Sequence, residues 1–265
     1  MKFVALISGG KDSIFNIMLC NAHGHLLECV ANIRPEEDKE TDSYMYQSVG
    51  CSLIDDIAGC LGVPLFQCIK RGASKNIQLE YTPVQDDEVE DMFCLLKSVK
   101  EKHPDIQGVS VGAILSRYQT NRVQNVCSRL GLTMLPFLYG KDCRKTLRAM
   151  IDCGVDAAII KSGMIDTGKE ILFKPIAEME ERLLFLSEKH GVNVCGEGGE
   201  YETITLDCPL YKKKIVVDAF SVVAHSEKLY SSVYYAVPTE WHLEEKDATG
   251  IEDIGDRLRS FSSEL

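Results

Sequence analysis

Six residues near the start of the chain, Ser8-Gly9-Gly10-Lys11-Asp12-Ser13, have the types and order of a phosphate-binding turn. Two adjacent glycines let the backbone bend tightly and approach an anion with no Cβ in the way. An apolar run, Phe3 to Ile7, leads in, and a helical pattern leads out from Ser13. The start of such a helix offers N–H donors and the positive end of its dipole. Ser8 and Ser13 add hydroxyl donors, and Lys11 adds a point charge. Asp12 would repel a bare phosphate, so its presence implies a Mg2+ ion bridging carboxylate and phosphate oxygens. The spacing is neither that of the Walker loop nor that of the Gly-x-Gly-x-x-Gly dinucleotide fingerprint. A tight strand-to-helix turn with an N-cap is the plainer reading that the same residues allow. As a charged loop, the segment is expected to lie outside the hydrophobic core.

A second group lies at Glu197-Gly198-Gly199-Glu200-Tyr201-Glu202-Thr203. Three carboxylates and a tyrosine on a glycine-rich turn make a negative, adaptable surface, and an aromatic face beside carboxylates is a usual way to hold an organic cation. A solvated acidic hairpin has the same composition. Between the two groups, Gly112 permits close backbone approach to a ligand. Arg117 can offset charge on leaving phosphates, or can be an ordinary surface arginine. Tyr44 and Tyr46, in the stretch from Asp42 to Gln47, and Tyr118 suit either binding or packing.

The elements that must position these residues alternate strand and helix. Apolar runs predict strands over 2–7, 29–33, 64–69, 109–115 and 133–138. Helical spacing predicts helices from Ser13 to His23, from a cap at Asp42 or Ser43 through Tyr46, Val49, Leu53, Ile57 and Cys60, from Asp86 to His103, and from Asn121 to Leu130. Five buried strands separated by helices make an α/β fold with a doubly wound parallel five-stranded sheet, binding ligands beyond the strands' carboxyl ends. The pattern then restarts: helix from Cys143 to Cys153, strand from Asp156 to Lys161, helix from Lys174 to Lys189, strand from Val192 to Cys195, and paired strands at Ile215–Val217 and Val222–Ala224. The expected organisation is a nucleotide-binding domain over 1–138, a second, smaller α/β domain over 139–243, and a polar, loosely ordered tail over 244–265.

Composition closes off several function classes. A net charge of −11 argues against direct nucleic-acid binding, which needs clustered Lys and Arg. The run Lys212-Lys213-Lys214 borders an apolar strand and reads as solvated edge protection. No stretch approaches the ~20 apolar residues of a membrane span, and no secretory pattern opens the chain, so a cytoplasmic protein is expected. Eleven cysteines are scattered from Cys20 to Cys208 without a Cys-x-x-Cys pair. They read as reduced, buried small residues with no zinc site, and activity is expected to be indifferent to mild reductants.

The first loop resembles the Ser-Gly-Gly-x-Asp-Ser motif of the PP-loop ATP pyrophosphatases, whose sheet is the adenine-nucleotide alpha-hydrolase-like one. Taken with Asp42–Gln47, Gly108–Gln119 and Glu197–Thr203, it looks like the diphthine–ammonia ligase family over most of residues 1–225. That resemblance implies ATP and Mg2+ as cofactors, held by Ser8, Gly9, Gly10, Lys11, Asp12, Ser13, Gly112, Ala113 and Arg117, with Asp12 on the metal. It implies attack at the α-phosphorus, loss of pyrophosphate, and an acyl-adenylate displaced by ammonia to give an amide. The acceptor it implies is diphthine on a histidine of translation elongation factor two. For that trimethylammonium-bearing acceptor and for ammonium, it points to Tyr44, Tyr118, Gln119, Glu197, Gly198, Gly199, Glu200, Tyr201, Glu202 and Thr203. Lys11, Asp12, Glu197, Glu200 and Glu202 are then the catalytic candidates, with the acidic group expected apart from the ATP loop. Longer relatives carry appended C-terminal domains, whose functions do not transfer to this chain. Two alternatives stay open: another PP-loop adenylating ligase or tRNA-modifying enzyme, and an ATP-binding regulator without chemistry, against which Asp12 argues.

Overall fold

Alternation along the first strand puts Phe3 and Ala5 on one side and Val4 on the other, and all three are fully buried. A strand buried on both faces needs helices above and below it. The computed structural model, which describes residues 1–36, 43, 45–226, 232–246 and 254–263, shows both layers. Strands β1 (Lys2–Leu6), β2 (Leu26–Arg34), β3 (Leu65–Ile69), β4 (Gly108–Ser110) and β5 (Thr133–Leu135) pair in parallel in the order β3-β2-β1-β4-β5. Helices α1 (Lys11–Ala22) and α2 (Ile54–Leu61) pack on the Phe3 and Ala5 side. Helices α3 (Glu88–Lys102) and α4 (Arg117–Leu130) cover Val4, Cys29 and Ala31. The doubly wound parallel sheet is therefore as expected, and its order reverses between β1 and β4, where a crevice opens.

Several boundaries move, each for a tertiary reason. No helix begins at residue 43: Ser43 accepts hydrogen bonds from the Met45 and Tyr46 amides, but regular helix waits until Ile54. The intervening side chains are engaged elsewhere, the Tyr46 hydroxyl donating to the Glu88 carbonyl and Gln47 to the carbonyls of Val49 and Thr203. Asp42 and Tyr44 lie outside the described residues. Helix α4 starts four residues earlier than its apolar spacing suggests, because Ser116 caps it by accepting from the Gln119 amide.

The second sheet is antiparallel. Helix α5 (Cys143–Asp152), strand β6 (Asp156–Ser162), helix α6 (Ile176–His190) and strands β7 (Tyr201–Asp207), β8 (Lys213–Ser226) and β9 (Val233–Glu245) follow in turn. The order is β7-β6-β9-β8. Residues 192–195, expected as a strand, instead form an irregular buried segment, with Asn193 accepting from the Cys195 amide and Tyr201 donating to the Val194 carbonyl. The strand lies at Tyr201–Asp207, so the acidic motif is a turn followed by a strand. The two short strands expected at 215–217 and 222–224 are one long strand, β8, whose register shifts around Ala219 break the alternation. Its partner is β9, and Lys213 and Lys214 pair across to Glu245 and Glu244.

One core crosses both sheets, joining Ile14, Phe15 and Ile57 to Ile159, Leu183 and Ile204. Part of the tail joins it too. Helix α7 (Gly255–Ser263) lies on α1 with Leu258 fully buried, and the Phe261 ring is 5.6 Å from that of Phe15. Two apolar residues three apart are enough to dock a short helix that composition reads as polar. No described helix is long and apolar enough to cross a membrane.

Leu258→Ala should therefore lower the unfolding free energy by about 2–4 kcal/mol through the cavity it leaves. Urea titration reads this directly, and an unchanged midpoint would mean that α7 contributes no packing.

Candidate active site

The turn after β1 is shaped by the strand that crosses it. Gly9 sits at φ +84°, a conformation that a side chain resists, and its carbonyl accepts from the Thr205 amide at 2.8 Å. The Lys11 amide donates to the Thr203 hydroxyl at 3.1 Å. The Gly10 amide is 3.3 Å from the Ser8 hydroxyl, and the Ser13 hydroxyl donates back to the Gly10 carbonyl. Gly10, the N-cap residue of α1, has no side chain to cap the helix; Thr203 takes the Lys11 amide, and Asp12 and Ser13 of the first turn line the crevice.

That crevice is a cavity of about 210 Å³. Ser8, Asp12 and Ser13 line it from the first loop, Ala31, Asn32 and Ile33 from β2, and Met45, Tyr46 and Gln47 from the irregular segment. Val111, Gly112 and Ala113 line it from the end of β4, with Gln119 from α4 and Glu197 from the acidic turn. A Cβ on Gly112 would stand 2.6 Å from the Ser13 nitrogen and 2.7 Å from the Asp12 carbonyl carbon, so only glycine lets these backbones touch.

The two constellations expected to lie apart form one site. Glu197 reaches the phosphate loop's cavity because its Oε2 accepts the amides of Leu115 at 2.7 Å and Ile114 at 3.2 Å. Burial pushes its carboxyl above the ordinary range, against the pull of those amides. The remaining acids do different work. Glu200 braces its own turn by accepting the Asn193 and Gly198 amides. Glu202 pairs with Lys161 at 2.9 Å. Gly198 and Gly199 are exposed at the tip, and Thr203 caps the loop from β7.

Lys11 turns away from the cavity. Only 2% exposed, it belongs to the interior and not to an open charged loop. Its Nζ donates to the Cys195 carbonyl at 2.6 Å and to Asp12 Oδ2 at 3.0 Å, and lies 4.9 Å from the centre of the Tyr201 ring. Burial opposes its charge, but Asp12, Tyr201 and Cys195 together raise its pKa. Tyr201 is thus no open aromatic face for a substrate cation, being buried and already covered by Lys11. Asp12 also lines the cavity, and among the described residues its Oδ1 is buried without a hydrogen-bond partner. Burial pushes the Asp12 carboxyl up, with Lys11 pulling the other way. Among the described residues no cluster of three or more His, Cys, Asp or Glu could hold a metal by itself. The fit is to a hard cation that brings phosphate and water oxygens with it.

Arg117 is exposed at the first residue of α4 and does not line the cavity, and Tyr118 stacks under Arg122, whose guanidinium is 3.2 Å from the ring centre. Sequence reasoning missed Asn32 as a wall residue. Its Nδ2 donates to the Ile7 carbonyl at 2.9 Å, and its Oδ1 accepts from Gln67. The available signal was a lone amide inside the apolar run Val30-Ala31-Asn32-Ile33. Cys195, which contributes only its carbonyl, left no signal of that kind.

Residues 1–134 match the family model described as the diphthamide synthase N-terminal domain, and residues 142–238 match its C-terminal domain. Over 252 residues the chain is 51% identical to a diphthine–ammonia ligase of Mus musculus, covering 93% of this chain and 94% of that one. The Homo sapiens protein of the same description is 50% identical with the same coverage. A Schizosaccharomyces pombe diphthine–ammonia ligase is 49% identical over 227 residues, 85% of this chain but 38% of its own length.

Two substitutions test the geometry. Gly112→Ala meets backbone that no rotamer change can clear, and should cost about 1–3 kcal/mol of stability. Lys11→Ala leaves the Asp12 carboxylate without its buried partner and should cost on the order of 3 kcal/mol, where an open phosphate loop would lose almost nothing. Denaturant midpoints decide both, and a Lys11→Ala protein as stable as the parent would put the lysine in solvent.

Proposed function

The chain belongs to the diphthamide synthase family, and from that membership we propose that its crevice joins ammonia to the carboxylate of diphthine on translation elongation factor two, consuming ATP and forming AMP and pyrophosphate. The observation that carries this reading is the meeting of two half-buried carboxylates in one cavity at the start of α1. Asp12 brings an oxygen that lacks a partner, and Glu197 brings a raised pKa. Bound ATP would supply the adenylyl group that makes a carboxylate oxygen a leaving group, with Mg2+ offsetting phosphate charge.

The chain's own residues have separable tasks. Ser8, Ser13 and the first turn of α1 receive the phosphates, and Gly112 with Ala113 lets the chain close on them. Asp12 Oδ1 is the oxygen suited to Mg2+. Ala31, Ile33 and Met92 form the apolar wall suited to the base, with Asn32 and Gln47 supplying polar edges. Glu197 is the group to take a proton from ammonium so that nitrogen can attack. A pKa raised by burial makes a carboxylate a stronger base than an exposed one. Lys11, Tyr201, Glu200 and Glu202 position these groups from behind. Gly198, Gly199, Tyr118, Gln119 and Arg117 lie on the side from which the protein substrate approaches. A translation factor as acceptor sets the reaction in the cytoplasm.

Asp12→Asn should lower AMP release ~10²-fold or more, because charge stabilisation at the phosphates is lost. Glu197→Gln should lower amide formation about 10²-fold, while pyrophosphate exchange into ATP falls less. Because Glu197 is raised, its base form disappears as pH drops through a value above the usual carboxylate range. The acid limb of the rate should therefore sit high in the parent and vanish in the glutamine variant. An unchanged limb would remove Glu197 from the proton transfer. For the function itself, mass measurement of elongation factor two from cells lacking this protein should show diphthine in place of diphthamide. Normal diphthamide there would overturn the reading.

A further inference from the structure

All of the cysteines are reduced, and burial pushes the thiols of Cys20, Cys29, Cys127 and Cys208 up to about 12, where they are inert. Cys143 and Cys195 are placed differently. Cys143 is the first residue of α5 and is half-buried, its sulfur accepting from Asn193 Nδ2 at 3.5 Å. Cys195 is buried, and its thiol donates to the Cys143 carbonyl at 3.2 Å. The Cys195 thiol thus lies against the Cys143 backbone, and the interaction of the two thiols draws the one on Cys143 below its ordinary range while raising the one on Cys195. One thiol is therefore accessible and activated at a helix start, and the other is shielded beside it. Such an arrangement suits an attacking and a resolving sulfur.

We propose that Cys143 and Cys195 are a redox modification site, which a peroxide-class oxidant closes to a disulfide that switches the neighbouring active site off. The Cys143 thiolate attacks one oxygen of hydrogen peroxide; an S–O bond forms, the O–O bond breaks, and the departing hydroxide takes up the proton that the Cys143 thiol gave up and leaves as water. The Cys195 sulfur then attacks the sulfenic sulfur; the S–S bond forms, the S–O bond breaks, and the hydroxide leaves as water with the Cys195 proton. In sum two thiols are oxidised to one disulfide, and one peroxide is reduced to two waters. A dithiol reverses it.

The link to the site is one hydrogen bond long. The Cys195 carbonyl is what holds Lys11 Nζ, at 2.6 Å, and Lys11 holds Asp12. Joining the two sulfurs in a bond of about 2.05 Å draws the 193–196 segment toward α5 and pulls that carbonyl off the lysine. The proposal departs, at this pair, from the expectation of indifference to mild reductants.

The effect on activity rests on the proposed function, but the disulfide does not, and the test separates them. The full-length reduced protein is treated with hydrogen peroxide, remaining thiols are alkylated, and peptides are mapped by mass. Cys94→Ser, which removes an exposed thiol, serves as the control. The expected result is a peptide pair joined through residues 143 and 195 in the parent and in Cys94→Ser. With it, amide formation should fall about tenfold or more, as when a charged hydrogen bond is broken, and be restored by dithiothreitol. Cys143→Ser should keep basal activity and lose both the cross-link and the sensitivity. Full alkylation of both cysteines after peroxide overturns the proposal, as does a cross-linked protein with undiminished turnover. Were the reduced protein to form no amide at all, the function would fall while the peptide map still decided the pair.

Discussion

One buried ammonium group holds the site together. Lys11 stands between the two sheets, with Asp12 on one side, the Cys195 carbonyl on another and the Tyr201 ring beneath. An ammonium out of water must be compensated on several sides, and here the compensating groups come from both halves of the chain. The same pair orients Asp12, because one carboxylate oxygen is committed to the lysine and the other is left for the cavity. The lysine of the glycine turn thus holds the turn's carboxylate and the segments around Cys195 and Tyr201 together from the interior.

The interior joins the two halves of the chain. Ile204 from β7 lies so close to Gly9 that a Cβ there would meet its Cδ1 at 2.7 Å, and Thr203 and Thr205 on the same strand bond the loop's backbone. The glycine turn is therefore as much an interface for β7 as a cradle for an anion. Glu197 follows from this placement: β7 begins at Tyr201, and the turn that feeds it has to pass the mouth of the crevice.

Buried polar braces give the remaining walls their shape. Asn16 on α1 bonds the Ser110 hydroxyl and the Leu135 carbonyl and accepts the Leu138 amide, tying the helix to two strand ends. Asp87 caps α3 and accepts from the amides of Lys75 and Asn76, while fully buried Glu88 gathers Ser43, Ser74 and Lys70. Arg122 bonds the Tyr118, Asn76 and Gln78 carbonyls between two tyrosine rings. Each is a polar group whose burial its partners offset, and each ties together segments distant along the chain.

Local pattern was sufficient to read the parallel sheet, its helices and the glycine turn, because strand and helix periods and turn chemistry are properties of neighbouring residues. Ser8, Asp12, Ser13, Gly112 and Glu197, singled out by motif and resemblance, line one cavity. What the sequence could not decide was direction and company. Whether Lys11 faced the ligand or the interior depended on Cys195, 184 positions away. The division of labour among Glu197, Glu200 and Glu202 depended on which backbone amides or lysine each one met. The antiparallel second sheet, the dissolved start of the second helix and the docked α7 were likewise settled by pairings across the chain. Periodicity reports which face of an element is apolar; only the assembled fold determines which polar group lies opposite it.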